Sequence, residues 1–162
     1  VPGDRTLTEG VALEVLVEAS PETIFPFFTD PEKMVRWKGT RAELDPRPGG
    51  VYNVDVTHQA LARGEYVDVD EPRRVVFTWG WEGDDVVPPG SSTVEVTLEP
   101  KGGATLVRLV HKGLPESKRD LHREGWEHFC ERLRIVAGGG DPGPDPLLTR
   151  DSQTKWEGET DG

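Results

Sequence analysis

Few side chains in this chain are of a type and spacing that could do chemistry. The most conspicuous are aromatic. In VVFTWGWEG (75–83), Phe77, Trp79 and Trp81 fall at every second position, so on a strand they share one face. Such rings bury about 150–250 Å² each and can either fill a core or wall a site for an apolar or aromatic ligand. His111 closes the run ATLVRLVHKGL, on the same face as Val107 and Leu109 and close to the Gly113-Leu114-Pro115 turn. An imidazole in apolar surroundings could orient a ligand or serve as a general base, because it titrates near neutrality. The competing reading is a hydrogen-bonded histidine at a strand end. Glu65 and Asp55 stand behind His111 as possible acids, and Tyr52 and Asn53 as further polar candidates. Strand parity sets Tyr52 opposite Asn53 and Asp55, so they cannot all face one cavity.

Other chemistries find little support. His122 and His128 are six apart on a helix and lie on different faces, while His58 and His111 sit on separate strands, so no metal or cofactor is expected. Cys130 falls on an apolar helical stripe, where a thiol is packing and not a nucleophile. No serine has a Gly-x-Ser-x-Gly setting. Gly49-Gly50 and Gly102-Gly103 are hairpin turns, since neither opens a helix after a strand as a phosphate cradle does.

Bulk composition narrows the partners. The chain has 162 residues, with 30 acidic against 19 basic and a formal net charge of -11. That suits one domain and disfavours nucleic acid or an anionic membrane surface, which need clustered Lys and Arg. The short clusters Arg73-Arg74 and Lys118-Arg119 read as solvated faces. One cysteine cannot form an intramolecular disulfide, so a reducing compartment is expected, and cytoplasmic localisation with it. No stretch reaches the ~18 apolar residues of a membrane span. The chain opens at Val1 and its only methionine is Met34, so its start reads as trimmed.

Periodicity supplies the elements that must position these groups. VALEVLVE (11–18) alternates as a half-buried strand. Ser20-Pro21-Glu22 and Asp30-Pro31-Glu32 each read as a cap, a first-turn proline and an acid, starting two short helices. Pro26 should kink or end the first. VYNVDVTH, the segment 65–69, RVVFTWGWEG, STVEVTLEP and ATLVRLVHKGL follow as strands separated by turn residues, predicting one meandering antiparallel sheet. A long helix then carries Trp126, Phe129, Cys130, Leu133 and Ala137 on one stripe, with Ser117 as its cap and Gly138 as its stop. Residues 1–9 read as a flexible arm, 10–137 as the folded domain, and 138–162 as a disordered tail rich in Gly, Pro and acids.

The order of strand, two short helices, six-stranded meander and long amphipathic helix resembles the helix-grip fold of START-like (SRPBCC) proteins. SPETIFPFFTDPEKMVRW (20–37), PGGVYNVDV (48–56), GEYVDVDEPRRVVFTWGW (64–81), GATLVRLVHKGLP (103–115) and GWEHFCERL (125–133) narrow the resemblance. Together they are similar to the START-like family named for the activator of the heat-shock-protein-90 ATPase. The chain departs from relatives where Lys38 follows a single Trp37, a place that often holds paired tryptophans, and where Pro26 enters the first helix. The resemblance implies an α+β fold, with a bent antiparallel sheet of six to seven strands gripping the last helix on its concave face. It also implies that a cavity can remain between them.

On that frame Trp79, Trp81, Phe77, His111, Trp126, Phe129, Tyr52 and Trp37 are the expected ligand-binding residues, with Phe77 toward the core, Trp81 toward the mouth and Trp37 near the entrance. The expected function is non-enzymatic binding of a hydrophobic small molecule, as in sequestration of a metabolite or toxic natural product, by a monomer or weak homodimer. The alternatives are a polyketide cyclase or hydrolase-like enzyme using His111, and a chaperone-associated interaction module.

Overall fold

The computed structural model describes residues 10–149. The arm expected at 1–9, and the part of the expected tail beyond 149 that contains Trp156, lie outside the described residues.

Strand β1 (Gly10–Val17) is followed by helix α1 (Pro21–Ile24), a 3₁₀ turn (Phe25–Phe28) and helix α2 (Pro31–Trp37). Ser20 Oγ accepts from Thr23 N at 3.2 Å and Asp30 Oδ1 from Glu32 N at 2.9 Å, so both helices start on the side-chain caps read from sequence. Pro26 ends α1 early, and the chain tightens into the 3₁₀ turn that buries Phe25, Phe27 and Phe28.

Six strands then run as a meander: β2 (Arg41–Leu44), β3 (Val51–Asp55), β4 (Leu61–Asp70), β5 (Arg74–Trp79), β6 (Ser92–Lys101) and β7 (Ala104–Lys112). With β1 paired to β7 they form one antiparallel sheet in the order β1-β7-β6-β5-β4-β3-β2. The sheet bends where the β4–β5 register shifts between Tyr66 and Asp68. Gly64, in the same strand, admits the Thr78 carbonyl into space that a Cβ would occupy, 1.9 Å from its ideal position.

Helix α3 (Arg119–Ala137) packs on β1 and α2. It turns Leu121, His122, Gly125, Trp126, Phe129, Cys130, Leu133 and Ala137 inward, a stripe of helical period. Its start corrects the expected cap, because Ser117 lies inside a 3₁₀ turn (Glu116–Lys118) that leads into the helix at Arg119.

The reading of 138–162 as a disordered tail is corrected for its first part. Residues 138–149 fold back on α3 and end in a short helix, α4 (Pro146–Thr149). Asp145, buried to 6%, accepts from His128 Nε2 at 2.8 Å and from Leu147 N at 2.9 Å. Arg132 Nη2 donates to the Gly143 carbonyl at 3.0 Å. Composition missed this because it weighs apolar area, whereas the segment is held by one carboxylate and backbone carbonyls.

Candidate functional site

The site lies between the β5 side of the sheet and α3. Strand parity sends Phe77 and Trp79 inward from β5. Trp81 follows past the strand end and pairs with Ala62 in an isolated bridge. The loop after it turns back so that Trp81 N donates to Val87 O at 2.7 Å, while Asp84 Oδ1 accepts from Val86 N at 2.7 Å. That loop covers Trp81 and corrects its expected place at an open mouth: the residue is only 3% exposed. Trp79 meets Trp81 edge to face at 5.1 Å and Trp126 of α3 at 5.2 Å between ring centroids.

These three tryptophans and Phe129 wall a cavity, with His122 and Gly125 completing the helix side and Lys38 and Val56 closing it. The room left between these side chains is small, about 10 Å³. That is room for one water. An aromatic ligand would enter only if the rings part.

Gly125 sits in the middle of α3, where glycine costs a helix about 0.5–1 kcal/mol relative to alanine. Its missing side chain leaves this room. Gly125→Ala is expected to raise the unfolding free energy by up to about 1 kcal/mol in urea titration, through the higher helix propensity of alanine. The same substitution should weaken any ligand that occupies the cavity.

The other expected site residues do not wall the cavity. Phe77 stacks on Tyr52 at 3.9 Å between centroids with an interplanar angle of 12°, and belongs to the core as expected. Trp37 is also drawn into the core, which corrects its expected place at an entrance. Its Nε1 donates to Phe27 O at 2.9 Å and its ring meets Phe28 edge to face. Asp55 pairs with Arg63 at 3.1 Å on the outer face of the sheet, and Glu65 is exposed, so neither carboxylate can serve the cavity.

His111 is 0% exposed, with both ring nitrogens engaged. Trp126 Nε1 donates to its Nδ1 at 3.0 Å, so Nε2 carries the proton toward Ser92 Oγ at 2.8 Å, and Ser92 Oγ donates to Trp79 O. Burial, with His122 and Lys38 nearby, holds its pKa well below the ordinary value. This neutral, fully bonded imidazole fixes Trp126 and Trp79 and is not placed to take a proton from a ligand. His122 repeats the device. Its Nδ1–H donates to Lys118 O at 2.8 Å, and its Nε2 accepts from Trp81 Nε1 at 2.9 Å. Burial lowers its pKa to about 4.

Sequence reasoning noted Lys38 only as a departure from relatives. The structure buries it to 1% exposure. It ends α2, its N–H donating to Met34 O at 2.9 Å, and Gly39 at φ +92° turns the chain into β2. A side chain on Gly39 would also meet Asp55 O, 2.6 Å from its Cβ. This sharp turn aims Lys38 inward. Nζ donates to Tyr52 Oη at 2.9 Å and lies 4.4 Å and 4.3 Å from the ring centroids of Trp79 and Trp126. Burial pushes its pKa well below the ordinary lysine value. Cys130 is raised to about 12 by burial and is inert as a thiol at neutral pH.

Trp79 Nε1 is buried and has no hydrogen-bond partner among the described residues. Also among those residues, no cluster of His, Cys, Asp and Glu could hold a metal ion, and no helix is long and apolar enough to cross a membrane.

Comparison with known proteins places this geometry among relatives. The family described as Activator of Hsp90 ATPase homolog 1-like protein matches residues 18–138. The chain is similar to Activator of 90 kDa heat shock protein ATPase homolog 1 of Homo sapiens, 24% identical over 140 residues, covering 85% of this chain and 40% of that protein. The chain spans about two fifths of the length of the curated relatives it matches. Among solved structures it is similar to an AHSA1-like protein from Rhizobium etli, 49% identical with a TM-score of 0.68, covering 86% of this chain and 88% of that one. It is also similar to DynU16, a protein in the dynemicin biosynthetic locus, 26% identical with a TM-score of 0.72, covering 83% of this chain and 49% of that one.

Proposed function

The chain belongs to the family of Activator of Hsp90 ATPase homolog 1-like proteins, and from that premise we propose that it binds a hydrophobic or aromatic small molecule between β5 and α3. One observation carries the reading: Trp79 lines the cavity, and its buried indole N–H has no acceptor among the described residues. Leaving such a donor unpaired costs about 1–3 kcal/mol, which a bound acceptor would recover. The apolar walls of Trp81, Trp126 and Phe129 supply the area an aromatic body would cover. The occurrence of DynU16 in a biosynthetic locus supports a natural product as the kind of ligand.

Binding without turnover is favoured over a cyclase or hydrolase because no carboxylate among the described residues lines the cavity and both of its neighbouring histidines have each ring nitrogen engaged. A chaperone-associated role draws on the names of relatives of which this chain spans about two fifths.

The test is a panel of apolar and aromatic compounds scored by tryptophan fluorescence and thermal unfolding. A binder at 100 times its Kd should stabilise the fold by about 2.7 kcal/mol. Trp79→Ala should weaken that binder at least about tenfold, and Trp37→Phe, outside the cavity, should not. The proposal fails if no compound shifts either signal, or if both variants weaken binding only in step with their loss of stability.

A further inference from the structure

We propose that the ligand is an apolar acid whose carboxylate is paired by Lys38 inside the cavity. This rests on the binding reading above and names the class of molecule.

The argument starts from an imbalance of donors and acceptors. Lys38 is buried to 1%, and among the described residues it has no carboxylate partner. Its one side-chain hydrogen bond goes to Tyr52 Oη. As an ammonium it offers three hydrogens and spends one there. Tyr52 then has its own O–H to give, and Trp79 Nε1–H has no acceptor. Two cavity-lining side chains, Lys38 just after α2 and Trp79 on β5, thus hold hydrogens for which the described residues supply no further acceptor. A carboxylate is the complementary group, because it accepts only, at about four lone-pair positions. An alcohol or hydrocarbon of the same shape would leave buried hydrogens unpaired.

The surroundings fit a single negative charge on an apolar body. The faces of Trp79 and Trp126 lie 4.4 Å and 4.3 Å from Nζ and favour a cation there. The remaining walls are apolar or already satisfied, and no arginine among the described residues lines the cavity, so one carboxylate is matched and a phosphate would be under-neutralised. The titratable groups around Lys38 are Tyr52 on β3, Cys130 and His122 on α3, and His111 on β7. None is an anion at neutral pH: burial raises Tyr52 and Cys130 and lowers both histidines. A carboxylate arriving with the ligand would supply the counter-charge that returns Lys38 to its ammonium form.

The experiment is calorimetric titration of the protein with matched probes, naphthoate against naphthalenemethanol and decanoate against decanol. In at least one pair the acid should bind about tenfold or more tightly than its alcohol. Lys38→Met should abolish that preference, acid and alcohol then binding within about threefold of each other, and a circular dichroism spectrum matching the parent guards against misfolding. Equal binding of acid and alcohol to the parent protein would overturn the carboxylate and leave the apolar site standing. Binding of neither member of either pair, with no hit from the wider panel, would overturn both. A preference for the acid that survives in Lys38→Met would also overturn the assignment to Lys38.

Discussion

Acidification from about pH 7.5 to about pH 5 is expected to remove about 2 kcal/mol of folding stability, and about 3 kcal/mol by pH 4, through His122 alone. In the folded state burial holds this imidazole at about 4. In the unfolded chain it returns to about 6.5. Between those values the unfolded state binds more protons, so stability rises with pH and falls as pH drops through the window. The contribution is complete above about 6.5 and its loss is complete below about 4. His111, lowered for the same reason, acts in the same direction. Asp145 is a separate case: burial would raise it, but the hydrogen bonds from His128 and Leu147 outweigh that and lower it, so its loss falls below the ordinary carboxylate range. Urea titrations across this range should show the slope, and His122→Gln should flatten it by about 2 kcal/mol at pH 5. A parent protein as stable at pH 5 as at pH 7.5 would refute the buried neutral histidines.

Lys38→Met is expected to stabilise the empty protein at neutral pH by about 1–3 kcal/mol, the cost that burying an incompletely bonded polar group carries. The opposing losses are the Tyr52 hydrogen bond and the contacts with the faces of Trp79 and Trp126. Burial lowers the folded amine well below its ordinary value, so toward alkaline pH the unfolded lysine still binds a proton that the folded one has released. Parent stability should therefore climb as pH rises toward the ordinary lysine range, and the variant should lack that climb. Denaturant titrations at several pH values measure both. A variant several kcal/mol less stable than the parent would mean that Lys38 is a fully compensated structural cation, and the unmet charge would vanish with it.

Together the two substitutions explain which parts of the molecule were legible in sequence. Alternation in β6 and β7, the Ser20 and Asp30 caps and the stripe from Trp126 to Ala137 are local patterns, and they survive folding because each is decided by neighbours a few residues away. Trp79, Trp126 and Phe129 followed from that patterning once sheet and helix were set face to face. His111 did not. Its role depends on Trp126 and Ser92, which lie 15 and 19 residues away, and no local pattern reports them.

Lys38 is the instructive miss. A lysine after a short helix ordinarily reads as a solvated C-terminal charge. Its burial depends on the turn at Gly39 and on the Asp55 carbonyl, a contact between segments that only the folded sheet brings together. Two signals were available: the positively rotated glycine that follows it, and its place where relatives often carry a second tryptophan. Gly125 was legible in principle too, since a glycine inside a strong helical stripe asks for a packing reason.

The most direct measurement of the central claim is an ¹⁵N–¹H spectrum of the tryptophan indoles during titration with an apolar acid such as naphthoate. The four indoles among the described residues start from different surroundings: Trp37 on the Phe27 carbonyl, Trp81 on His122, Trp126 on His111, and Trp79 on no acceptor. With a ligand seated between β5 and α3, the Trp79 N–H signal should move downfield as it gains an acceptor, Trp81 and Trp126 should shift as their rings part, and Trp37 should stay in place. A saturating ligand that leaves Trp79 unmoved while perturbing other parts of the spectrum would contradict the site.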